Sequence, residues 1–165
     1  MLIRDPRPIS LLTGESATNA ISKLSTNKIV LNSVNEKDRV VICDPNGRVV
    51  DAPYVVWDEN GVILLHCTTE TPDYLSAVAR TLSKNSGHVM DATGAIERYI
   101  CLEKKLPPSA GLSVHGLGVS GSYSIVLNPQ NHENHQVVDL SADLLIEIGG
   151  LTESHLNGNH LPHHI

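Results

Sequence analysis

Apolar positions recur along this chain with two different periods. Ala17, Ala20, Ile21 and Leu24 follow Thr13 at helical spacing and predict a short amphipathic helix. A second stripe, Leu75, Val78, Ala79 and Leu82, predicts the clearest helix, with Thr71 as its cap, Pro72 in its first turn and Gly87 closing it in the left-handed conformation. Elsewhere the apolar runs are short. "KIVLNSV", "DRVVICD", "GRVVDAPYVVW" and "VILLHCT" read as strands, separated by Asn-Glu-Lys, by Pro45-Asn46-Gly47 and by the hairpin turn Asp58-Glu59-Asn60-Gly61. "HVMDATG" and "ERYICLEK" are ambiguous, the second fitting helix and strand equally, while "SYSIVLN", "HQVVDL" and "DLLIEIG" predict further strands.

Many short strands joined by tight turns predict a mainly β (α+β) fold: an antiparallel distorted β-barrel or sandwich with two or three short helices. The 165 residues are expected to form a single globular domain over 1–150, followed by a flexible His-rich C-terminal tail over 151–165. With no Phe and a single Trp, the core must be built from Val, Ile, Leu and Ala.

Charge changes the picture of partners. Twelve basic against eighteen acidic residues leave a net charge of −6 and no basic run interleaved with aromatics, which argues against nucleic acid. No apolar stretch reaches membrane-spanning length and the opening "MLIRDPRPIS" has no signal-like core, so a cytoplasmic protein with no membrane contact is expected. Cys43, Cys67 and Cys101 are odd in number and widely spaced, as reduced thiols would be.

Candidate chemistry concentrates in "PPSAGLSVHGLGVSGSYS". Gly111, Gly116, Gly118 and Gly121 permit close approach of a ligand to the backbone, Ser113, Ser120 and Ser122 add hydroxyls, His115 an imidazole and Tyr123 a stacking ring. A glycine-rich bend in a barrel is the plainer reading, since neither phosphate-loop fingerprint is present. His132 and His135 in "HENH" could hold a divalent metal with Asp139 or Asp143, against a solvated hairpin tip. Cys67, next to His66 on a strand, reads as a buried structural thiol, and "CTTETPD" as a self-capped helix start.

"GLSVHG" (Gly111–Gly116) resembles the strand that follows the Arg-Ser-Ser-Leu motif of dCTP deaminases, relatives of the trimeric dUTPases. "ATGAIERYICL", "YSIVLNPQNHENHQVVDLSADLLIEI" and "MLIRDP" are similar in outline to neighbouring segments of that family. The resemblance implies a distorted β-barrel assembled as a homotrimer with nucleotide sites between subunits. It also implies a degenerate site: Pro107-Pro108-Ser109-Ala110 replaces the motif, no acidic residue lies between Ala110 and Gln130, and no arginine follows Arg98. Lys104, Lys105 and Ser109 would then be left near any phosphate.

The expected function is that of a non-catalytic, oligomeric, nucleotide- or small-ligand-binding protein needing no cofactor, with itself and a small molecule as partners. The alternatives are a metal-dependent hydrolase using His132, His135 and His115, and a structural or interaction protein with no small ligand.

Overall fold

The computed structural model describes residues 2–101, 113–118, 121–129 and 137–139, and these divide into two compact units. One unit takes Leu2–Pro6 and the described residues from Thr93 onward; the other is Arg7–Ala92.

The first unit is one five-stranded sheet. Its strands are β1 (Leu2–Arg4), β9 (Arg98–Cys101), β10 (Ser113–Gly118), β11 (Gly121–Leu127) and β12 (Val137–Asp139), in the order β10-β11-β9-β1-β12. All its pairings are antiparallel except β1 with β12. The ambiguous "ERYICLEK" resolves as strand β9, whose four residues are all buried, because it lies between two partner strands. Leu2, Tyr99, Cys101 and Val126 form the apolar cluster here.

The second unit carries the sheet β3-β6-β7-β2-β8, from β2 (Ile9–Thr13), β3 (Lys37–Arg39), β6 (Tyr54–Asp58), β7 (Gly61–Leu65) and β8 (His88–Asp91). A two-stranded ribbon, β4 (Ile42–Cys43) with β5 (Val49–Asp51), completes the strands, and α1 (Ala17–Ser22) and α2 (Leu75–Ser83) the helices. Ala17, Ala20 and Ile21 of α1 and Leu75, Val78 and Leu82 of α2 are buried with Leu12, Val55, Val62 and Leu64 of the sheet. Each large aliphatic side chain so buried contributes about 1.5–3 kcal/mol.

The fold is therefore mainly β with antiparallel sheets and two helices, as expected, but the barrel is not observed. Each sheet ends in edge strands, β10 and β12 in one, β3 and β8 in the other, and no pairing closes either among the described residues. Charged side chains on β3 (Lys37, Asp38, Arg39) suit an edge that must resist further pairing.

Local corrections have clear causes. "KIVLNSV" holds no strand; Val30 and Val34 are exposed there, so apolar character without a partner did not suffice. No side chain caps α2: the capping position before it is held by Tyr74, and Leu75 and Ser76 donate instead to the carbonyls of Pro72 and Asp73. Ser86, at φ 58°, takes the left-handed position assigned to Gly87. Gly87 is required for another reason, because a Cβ there would lie 2.5 Å from the Thr13 carbonyl oxygen of β2. At the β6–β7 hairpin Gly61 combines φ 149° with a site where a Cβ would lie 2.0 Å from the Leu12 carbonyl oxygen.

Candidate functional site

Two clusters of polar side chains occupy the Arg7–Ala92 unit. The first is buried. Asp51, at the end of β5, stands in an otherwise apolar run and is fully inaccessible to solvent. A carboxylate there needs donors at every lone pair. Its Oδ1 accepts the backbone N–H groups of Ala52 (2.9 Å) and Cys67 (3.1 Å), and its Oδ2 lies 2.8 Å from both His66 Nδ1 and the Tyr74 hydroxyl.

These contacts set the direction of the whole chain of bonds. The carboxylate only accepts, so His66 Nδ1 carries a proton, and in the neutral imidazole Nε2 is then the acceptor that the Ser10 hydroxyl meets at 2.8 Å. Ser10 on β2, His66 just past β7 and Asp51 on β5 thus reproduce the connectivity of a Ser-His-Asp triad. Access is what they lack: Ser10 is 3% exposed, and His66 and Asp51 are 0% exposed. Nearby, Cys67 Sγ donates to the Ala52 carbonyl (3.2 Å), Arg39 Nε reaches the same oxygen (3.3 Å), and the Arg39 guanidinium stacks over Tyr54 at 4.8 Å. The geometry braces β2, β5, the end of β7 and the start of α2 against one another.

The second cluster faces solvent. A cleft of about 870 Å³ is lined by Lys23 and Leu24 after α1, by Cys43, Asp44, Pro45 and Val50 of the β4–β5 ribbon, and by Thr68 and Glu70–Tyr74. Asp44 builds the ribbon's turn, its Oδ1 accepting from Asn46 and Arg48 N–H at 2.9 Å each. Burial and the neighbouring Asp44 carboxylate push the Cys43 thiol up, which keeps it protonated. Tyr74 belongs to both clusters: it is among the residues that line the cleft, and its hydroxyl is held by Asp51. Desolvation first, then the charge of Asp51 and the bond to it, raise the Tyr74 phenol far above its ordinary value, so it stays a neutral donor.

The residues singled out from the sequence lie elsewhere. Ser113, His115, Gly116 and Gly118 fall on β10, and Ser122 and Tyr123 on β11. The described parts of the glycine-rich stretch are paired antiparallel strands, with His115 opposite Ser124, Gly116 opposite Tyr123 and Gly118 opposite Gly121. Lys104, Lys105, Ser109, Gly111, Ser120, His132, His135 and Asp143 lie outside the described residues. Among the described residues no three His, Cys, Asp or Glu side chains are grouped to hold a metal. No described helix is long and apolar enough to cross a membrane. The sequence reading missed Asp51 and Tyr74 altogether. The signal for Asp51 was present as a lone carboxylate inside "VVDAPYVVW".

No family model and no curated protein matches the chain. Among solved structures it is similar to glycine cleavage system aminomethyltransferase T from Bartonella henselae, with a TM-score of 0.51 and 9% identity. The match covers 78% of this chain and 41% of that one, so the chain spans less than half the length of its neighbour. At that identity the likeness is one of fold. It corrects the resemblance to dCTP deaminases and trimeric dUTPases: the described part of "GLSVHG", Ser113–Gly116, lies on a strand of a sheet that no described pairing closes, and a short Gly/Ser-rich segment carries too little information to fix a family. The expected trimer loses with it the resemblance that implied it.

Proposed function

We propose that this chain binds a small molecule, without turning it over, in the cleft between the β4–β5 ribbon and the start of α2. The observation that carries this reading is the combination of a ligand-sized cleft with a wall residue, Tyr74, pinned from behind by a fully buried hydrogen-bond chain. Ligand clefts run to about 300–1,000 Å³ and work best when their walls are rigid before the ligand arrives. The placement of the reactive groups beside the cleft, among the described residues, supports binding without turnover. The hydroxyl and imidazole that could do chemistry, Ser10 and His66, are buried, and Cys43 is held as a thiol.

A cleft-filling variant tests the reading. Leu24 lines the cleft and is half-buried at the margin of the core, so Leu24→Trp places an indole in the space. A small-molecule library screened by thermal shift should yield ligands that stabilise the parent protein and not Leu24→Trp. Ligands that stabilise both proteins equally would place the binding elsewhere.

A second reading, a serine hydrolase, is favoured by the two 2.8 Å contacts of the Ser10–His66–Asp51 chain and opposed by its burial. It requires that Ser10 become accessible to substrate.

A further inference from the structure

An asparagine followed by glycine is chemically labile, because a glycine nitrogen with no side chain beside it can attack the asparagine carboxamide. Two such pairs lie among the described residues, Asn46-Gly47 in the β4–β5 turn and Asn60-Gly61 in the β6–β7 turn. Both asparagines are exposed. We infer that Asn46 is a site of spontaneous deamidation and that the fold protects Asn60 from the same reaction. The Gly47 nitrogen gives its proton to solvent and bonds to Asn46 Cγ, while the side-chain nitrogen leaves as ammonia. Water then opens the resulting succinimide at either carbonyl, leaving aspartate or isoaspartate at position 46.

The two pairs differ in how much structure must open before the nitrogen can attack. Gly47 N–H donates to the Asp44 carbonyl (3.0 Å), and Asn46 N–H to Asp44 Oδ1 (2.9 Å). Both bonds belong to an exposed turn at the tip of a ribbon of two and three residues, whose register shifts between Ile42 and Cys43. A two-stranded ribbon is the marginal case among sheets, so its tip opens at low cost. A Cβ on Gly47 would meet nothing within 4 Å, so the backbone there has room to rearrange. Gly61 has no such room. A Cβ on it would lie 2.0 Å from the Leu12 carbonyl oxygen of β2, and it pairs with Asp58 where β6 and β7 join. Freeing its nitrogen means lifting the end of β7 away from both β6 and β2. The change at Asn46 reaches the cleft, because Asp44 and Pro45 line it. It sets a second carboxylate two residues from Asp44, and isoaspartate lengthens the backbone of the turn that Asp44 holds.

The test is incubation of the full chain at mildly alkaline pH in water enriched in ¹⁸O, followed by peptide mapping of both sites. In the folded protein Asn46 should convert at least about tenfold faster than Asn60, its product carrying ¹⁸O from the solvent. In guanidinium chloride, where neither turn persists, the two rates should come together. Two results would overturn the inference: Asn60 converting as fast as Asn46 in the folded chain, or Asn46 staying intact over a period in which the unfolded chain converts it. A rate ratio that is the same folded and unfolded would also overturn it, because the flanking residues and not the fold would then set the difference.

Discussion

The two polar clusters of the Arg7–Ala92 unit share one residue, Tyr74, and differ in nearly everything else. Behind Tyr74, Ser10, His66 and Asp51 are shut away from water, and every acceptor position of Asp51 is met at hydrogen-bond distance. In front of it, Asp44, Glu70, Asp73 and Lys23 line a cleft open to solvent. Catalytic connectivity without access is architecture, because a nucleophile that no substrate can touch does no chemistry. Modest chemistry with access is where binding can occur. On the proposed reading the inner cluster is a matter of stability and the outer one a matter of affinity, and the two can be separated by substitution.

The largest effect is expected from removing the acceptor at the centre of the inner cluster. Asp51→Ala orphans two side-chain and two backbone donors in a dry site and should destabilise the protein by about 3–5 kcal/mol, measured by urea unfolding. Asp51→Asn keeps one carbonyl oxygen for the backbone donors and should cost visibly less. Equal losses for the two variants would mean that the shape of the side chain matters here and its acceptors do not.

Smaller losses are expected at the far end of the chain of bonds. Ser10→Ala deprives His66 Nε2 of its hydroxyl donor and should cost about 1–2 kcal/mol. Its effect should be strongly non-additive with that of Asp51→Ala, since both act through His66. Simple addition of the two losses in a double-mutant cycle would show that the contacts are not one network.

The shared residue gives a pH signature. Tyr74 has its folded-state pKa raised above the unfolded value of 10.0, so the stability it contributes is fully present below about pH 10 and is lost as pH rises beyond that. Unfolding free energy measured from pH 8 to 11 should therefore fall on the alkaline side, and the fall should be shallower in Tyr74→Phe. An unchanged slope in the variant would remove Tyr74 from the network.

The smallest effects on stability belong to the outer cluster. Glu70→Gln and Asp73→Asn, both at exposed positions, should each shift the unfolding free energy by no more than about 0.5 kcal/mol while changing the affinity of a ligand bound in the cleft. A large loss of stability from either would move that residue into the bracing role.

How much of this was legible in the sequence differs between the two clusters for a physical reason. Local patterns were readable: the stripes at Ala17–Ile21 and Leu75–Leu82 became α1 and α2, and Asp58-Glu59-Asn60-Gly61 became the β6–β7 turn. Each depends on residues within a few positions of one another. The inner network depends on contacts across 56, 15 and 23 residues, which no local period encodes. Ser10 and Tyr74 look ordinary in their own segments; only Asp51, a carboxylate in an apolar run, departs from its surroundings enough to be noticed. The cleft was hidden for the same reason, since its walls come from three separate segments that only folding brings together. Glycine and histidine density drew attention to Gly111–Tyr123 instead, where the described part of the chain is a hairpin.

The claim that function resides in the cleft and not in the buried Ser-His-Asp chain is tested most directly by incubating the native protein with an alkyl fluorophosphonate and measuring its intact mass. Such a reagent modifies a serine only when a neighbouring base activates it and the site admits the reagent. The account predicts no mass increase under native conditions. A stoichiometric adduct that maps to Ser10 and disappears in His66→Gln would contradict it and make the buried chain an active site.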